Sequence, residues 1–182
     1  MRRFVKRAAK RAVILASLLW SSCSGSPTGP SAPATTFLTF NSMPGDYIGQ
    51  GESHRYALAD GVWYALASPL NGPPNQVYIE VTNFTQGWWW SMDFAAPKGQ
   101  PLKVGTYDAA RRYPFQPDTQ PGLDFFGSDR GCTTLTGSFQ IRELVIGPGN
   151  TVDRLHATFE QHCEGASPAL TGEVAIVADP WR

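Results

Sequence analysis

The tightest constraint on this chain is the stretch from Gly131 to Gly172. Two runs of strand-forming residues, 133–146 and 151–161, flank Gly147-Pro148-Gly149-Asn150. Gly and Asn tolerate the positive φ of a tight reversal and Pro fixes φ where it stands, so the stretch reads as a β-hairpin. Folding about that turn sets Ile146 opposite Thr151, so the numbers of facing residues sum to about 297. Cys132 and Cys163 sum to 295 and fall on neighbouring strands within a residue or two of register. A disulfide is sterically possible there.

The composition agrees with a β domain. The 182 residues leave room for one domain and a leader. Hydrophobic residues make up 42% and charged residues 16%, with 18 Gly and 15 Pro, a balance suited to many strands and turns. Ten Phe, six Trp and six Tyr demand burial and exclude a wholly disordered chain.

The formal net charge of zero hides an asymmetry. Six basic residues (Arg2, Arg3, Lys6, Arg7, Lys10, Arg11) lie at the start, and all 15 acidic residues follow Cys23. The remainder therefore carries 9 − 15 = −6 charges, which disfavours a nucleic-acid partner. The basic start followed by the apolar run Ala12 to Trp20 reads as a secretory signal, too short to span a bilayer permanently. Leu19-Trp20-Ser21-Ser22-Cys23 resembles a bacterial lipobox, with Trp20 where an aliphatic residue is usual. The resemblance implies lipidation of Cys23 and anchoring to a cell-envelope membrane. Cleavage near Ser22 or Ser24 with release of a soluble protein is the competing reading. Lipidation also accounts for the cysteine left over once Cys132 and Cys163 pair. The organisation read from the chain is a signal peptide over 1–22, a Pro/Ser/Gly tether over 23–36 and one β domain over 37–182.

Within the domain, strands are expected at 37–40, 53–59, 61–67, 76–83, 87–95, 103–107, 123–126 and 170–178, besides the central hairpin. Asp60-Gly61 reads as a compact hairpin turn between the second and third of these. The segment 111–122, with three prolines, reads as a long surface loop anchored by Tyr113 and Phe115. About ten strands imply an all-β fold, an antiparallel two-sheet sandwich or jelly roll.

In the run 87–94, alternation sets Trp88, Trp90, Met92 and Phe94 on a core face and Trp89, Ser91 and Asp93 on the other. Trp89, Asp93, Trp63 and Tyr113 are therefore candidates for a glycan-binding ledge, where rings stack on sugars and a carboxylate meets hydroxyls. The competing reading is that these aromatics are core. A hydrolase needs two carboxyls about 5–9 Å apart in a cleft. Asp93 with Glu80 or Asp124 are the pairs considered. His156, Glu160, His162 and Glu164 share a strand face but lack a zinc spacing, so no metal or cofactor is assigned.

Four motifs carry a further resemblance. They are Pro44-Gly45-Asp46-Tyr47-Ile48-Gly49-Gln50-Gly51, Asp93-Phe94-Ala95-Ala96-Pro97, Arg130-Gly131-Cys132 and Phe159-Glu160-Gln161-His162-Cys163-Glu164-Gly165. Together they resemble a group of secreted bacterial β-domain proteins. The resemblance implies an extracytoplasmic β domain and brings no catalytic residue with it. The function expected is a non-catalytic envelope domain that binds a glycan or a surface protein. The alternative is an extracellular polysaccharide hydrolase with paired carboxylates.

Overall fold

The structure is a computed structural model that describes residues 32–69 and 73–177. The expected signal peptide, Cys23 and most of the tether lie outside the described residues. Among the described residues, ten strands form one sheet: β1 (Phe37–Ser42), β2 (Ser53–Ala57), β3 (Val62–Ser68), β4 (Gln76–Asn83), β5 (Trp88–Ala95), β6 (Gly105–Arg112), β7 (Gly122–Gly127), β8 (Leu135–Ile146), β9 (Val152–Cys163) and β10 (Leu170–Val177). Their spatial order is β2-β1-β10-β9-β8-β6-β7-β5-β4-β3.

This corrects the sandwich expectation. There is one sheet, not two, and it is mixed, because β6 and β7 run parallel over Arg111–Arg112 and Gly122–Leu123. The core closes by curling. β1 and β5 are six steps apart in the sheet, about 29 Å if it were flat at about 4.8 Å per strand. Yet the Phe40 ring of β1 lies 4.7 Å from that of Trp90 on β5 and 5.0 Å from Phe125 on β7. The sheet therefore wraps into a half-barrel with the aromatic core on its concave side. Phe94, Phe139 and Phe159 fill the remaining width, with Phe94 5.3 Å from Phe139 and 5.9 Å from Phe159.

The alternation that shapes this core is clearest in β4. Val77, Ile79 and Val81 point inward and are fully buried, while Tyr78 and Glu80 face out and are half-buried. The hairpin β8–β9 forms about Gly147–Asn150 as expected, with facing numbers summing to 298 at Leu135/Cys163, Gly137/Gln161 and Gln140/Thr158. The register is thus one residue from the expected sum, and a bulge between Ile141 and Glu143 shifts it again near the turn. Cys132 and Cys163 are disulfide-bonded with Cα atoms 5.1 Å apart. On loop-closure entropy such a bond contributes about 3–4 kcal/mol.

The expected hairpin at Asp60-Gly61 does not form. β2 and β3 are the two opposite edges of the sheet, linked by a 3₁₀ turn at Leu58–Asp60. A Cβ on Gly61 would stand 2.6 Å from the carbonyl oxygen of Thr82, so the chain passes close over β4 here and does not fold back on β2. The two edges come near each other because the sheet is curled. β3 also touches the start of β9 through a bridge between Leu66 and Thr151.

One buried side chain completes the sheet where strands cannot. β7 meets β6 over only two residues, which leaves the Phe125 backbone without a strand partner on that side. Gln161 of β9, fully buried, fills the gap. Its carboxamide accepts from Phe125 N at 2.9 Å and donates to Phe125 O at 2.8 Å, reproducing a ladder pair with a side chain. The segments 44–51 and 130–132 also meet. Arg130 Nε donates to Ile48 O at 2.7 Å, pinning the 44–51 loop. In that loop Ile48 is buried in the core and Tyr47 is exposed.

Candidate functional site

On the convex side, β3, β4, β5 and β7 present a lattice of outward side chains whose rows follow from the strand registers. One row holds Val62, Thr82 and Trp89, and the next Tyr64, Glu80, Ser91 and Phe126. A third row holds Leu66, Tyr78, Asp93 and Asp124, and a fourth Ser68, Gln76, Ala95 and Gly122. The first two rows keep aromatic surface open. Tyr64 is 39% and Val62 46% exposed, and Trp89 and Phe126 are half-buried, meeting edge to face at 5.7 Å. Between them Glu80 accepts from Tyr78 Oη at 2.5 Å, and Tyr78 also contacts Ser91 Oγ at 3.1 Å. Burial and the adjacent Glu80 carboxylate push the Tyr78 phenol up to about 12, so it stays protonated at neutral pH.

The third and fourth rows are covered at their β5 and β7 ends, where Asp93, Asp124, Ala95 and Gly122 are buried. The segment 113–121 joins the parallel ends of β6 and β7 as a strap whose Tyr113 and Gln116 side chains lie over Gly122, the first residue of β7. Tyr113 N donates to Leu123 O at 3.1 Å and Arg111 N to Pro121 O at 3.0 Å. Gly122 makes this possible, since a Cβ there would stand 2.9 Å from both the Tyr113 ring and the Gln116 carboxamide. Tyr113 anchors the loop as expected, whereas Phe115 does not. It is 72% exposed, with the Arg112 guanidinium over its ring.

Beneath the strap, Asp93 and Asp124 are direct cross-strand partners, 8% and 5% exposed. Gln76 Nε2 donates to Asp93 Oδ1 at 2.6 Å, and Arg112 Nε reaches Asp124 Oδ2 at 3.4 Å. Burial pushes Asp93 up to about 7, helped by the negative charge of Asp124. Burial also raises Asp124, to about 6, with Arg112 holding it down.

The four candidate ledge residues therefore separate. Trp89 is on the open rows. Asp93 and Tyr113 are close to each other but lie under and in the strap. Trp63 points the other way, into the core, and is 2% exposed, so it has no place on a surface ledge. Sequence reasoning missed Tyr64, Val62 and Phe126 as members of this face. The signal was available only by pairing strands, since Trp89 names its neighbours through the register and not through the chain.

Trp88 differs from its expected burial. It faces inward but sits at the mouth of the half-barrel, half-exposed and 4.2 Å from the Tyr56 ring. There it lines a groove of about 360 Å³ with Arg55, Asp60, Asn83 and Gln86. Four of the groove's residues, Trp88, Gln86, Asn83 and Asp60, are hydrogen-bonded to one another. Trp88 Nε1 donates to Gln86 Oε1, Asn83 Nδ2 to Asp60 O, and Gln86 N to Asn83 Oδ1, which fixes the β4–β5 turn.

The residues weighed as a metal cluster do not converge: His162 and Glu160 meet each other, and His156 and Glu164 have other partners. His156 Nε2 lies 2.8 Å from Glu173, His162 contacts Ser167 O and Glu160, and Glu164 accepts from the backbone of Thr133 and Thr134. Among the described residues no group of three or more His, Cys, Asp or Glu converges as a metal site would require. Also among the described residues, no helix is long and apolar enough to cross a membrane. The disulfide fits an oxidising, extracytoplasmic compartment. Compared with protein-family models, curated proteins and solved structures, the chain matches none.

Proposed function

We propose that this is an extracytoplasmic, lipid-anchored binding domain that holds a glycan on the outer face of β3, β4, β5 and β7. The observation that carries the reading is the open half of the lattice. Tyr64, Trp89 and Phe126 offer ring faces and edges, and the half-buried Glu80 carboxylate lies between them, with Thr82 and Ser91 buried in the same rows. Pyranose rings are bound by this combination of an apolar platform and nearby polar atoms. A surface protein that presents an apolar patch is the other partner class for such a face.

The hydrolase alternative has its carboxyl pair in Asp93 and Asp124, but both are covered by the strap. Paired-carboxylate hydrolysis needs the two groups to face a cleft open to sugar and water. Burial of both carboxyls therefore favours binding over hydrolysis. A panel of envelope and extracellular glycans, incubated with the purified domain, separates the two. Retention of a glycan that Trp89→Ala loses supports the platform. Release of new reducing ends, abolished by Asp124→Asn, would replace it with the enzyme. The anchor rests on the lipobox-like segment and Cys23. Alkyne-palmitate labelling of cells should mark the wild type and not Cys23→Ala, and equal labelling of both would remove the anchor from the proposal.

A further inference from the structure

Asp93 and Asp124 stand side by side on adjacent antiparallel strands, where facing Cβ atoms lie about 4.5–5.5 Å apart. Their surroundings are short of donors. From β4, Gln76 gives one hydrogen bond to Asp93, and the Tyr78 hydroxyl is turned to Glu80 and Ser91. From β6, Arg112 reaches the Oδ2 side of Asp124. From the strap, Tyr113 and Gln116 pack over Gly122, two residues from Asp124, and the Tyr113 phenol is raised by burial and by the charge of Asp93. Gln116 Oε1 and Asp124 Oδ1 are both buried acceptors that receive no hydrogen bond. A buried acceptor left in this state costs about 1–3 kcal/mol, so a donor is expected there.

We propose that Asp93 and Asp124 hold one proton between them, with Asp93 donating to Asp124 Oδ1, and that this shared proton latches the 113–121 strap onto the outer face. The assignment of donor follows from the neighbours. Arg112 beside Asp124 favours its charged form, while Asp93 has only the neutral Gln76 as a hydrogen-bond donor. The raised values of both carboxyls, with Asp93 the higher, agree. When the proton leaves, two adjacent charges face each other in a site that excludes water. The relief available is to lift Tyr113 and Gln116 and let water in. The folded state binds this proton more tightly than the unfolded chain, whose aspartates keep the ordinary value of 3.8. Stability therefore falls as pH rises from about 4 to about 7 and is level above that. The inference does not depend on what the neighbouring platform binds.

Hydrogen exchange of the strap amides, corrected for intrinsic rate, tests it together with carboxyl ¹³C titration of the same protein. In the wild type, protection of residues 113–121 should drop by roughly tenfold or more between about pH 5.5 and pH 8. One carboxyl of the pair should titrate near neutrality. In Asp93→Asn the side-chain amide donates to Asp124 Oδ1 in place of the proton, so the strap should stay protected at both pH values. Asp124→Asn should likewise abolish the step, and either variant suffices if the other does not fold. A step that survives in the folded variants, or both carboxyls titrating in the ordinary acid range, overturns the proposal. So does restoration of wild-type protection at pH 8 by millimolar Ca²⁺ or Mg²⁺, which would make the site a cation site.

Discussion

Trp89 and Trp90 adjoin in sequence and differ in what surrounds them. Trp90 is 3% exposed, stacked parallel to Phe125 at 5.3 Å, and donates from Nε1 to Tyr56 Oη at 3.0 Å. Truncating it opens the core and strips a hydrogen bond, so Trp90→Ala should cost roughly 3–5 kcal/mol in a urea melt. Trp89 meets Phe126 edge to face on the outer side of the sheet and is half-buried. Trp89→Ala should lose glycan affinity by roughly 1–3 kcal/mol, as an aromatic anchor does, while destabilising the fold far less than Trp90→Ala. Equal loss of stability in both variants would undo the face assignment. The opposition of these two residues was legible because Met92 and Phe94 leave one face of 87–94 without a polar residue. The face of Trp63 was not legible. Val62, Tyr64, Leu66 and Ala65, Ala67 are apolar on both faces of β3, and alternation alone gives such a strand no direction. Asp93 beside Asp124 was one of two pairings the sequence allowed, and only the β5–β7 register selects it.

At the scale of elements, strand positions were read closely where polar and apolar residues alternate, and poorly where the chain changes partners. β4 has the expected bounds, and β5 begins one residue late. β6 runs to Arg112, well beyond the expected end at 107, because residues 108–112 lack alternation but find partners in β7 and β8. Asp60-Gly61 has the composition of a hairpin turn, yet close approach of Gly61 to β4 decides its conformation. The least legible element is β7, whose open edge is completed by a side chain. Gln161 reads in sequence as one polar residue in a strand. Gln161→Leu keeps most of the volume and deprives Phe125 of both backbone partners. It should therefore destabilise the domain by roughly 2–5 kcal/mol, measured by urea denaturation. A loss below about 0.5 kcal/mol would mean that another group pairs the Phe125 backbone.

For the molecule as a whole, the strands and the disulfide were foreseen and the way they close was not. Ten alternating strands satisfy a sandwich and a curled sheet equally well in sequence. The difference lies in long-range contacts such as Phe40 with Trp90, which no local pattern encodes. The topology has one more consequence. β1 and β10 are paired neighbours, Phe37 lies opposite Ala175, and Val177 N donates to Thr36 Oγ1 at 2.9 Å. The order in which the chain visits its strands is therefore separable from the sheet it builds. A circular permutant that joins Val177 to Thr36 through a short Gly/Ser linker and opens at the exposed Gly99 should fold to the same domain, read as an unchanged far-UV spectrum and a cooperative melt. Such a molecule would carry both new termini beside the β5–β6 turn and would bring the native pair of ends into the interior of the chain.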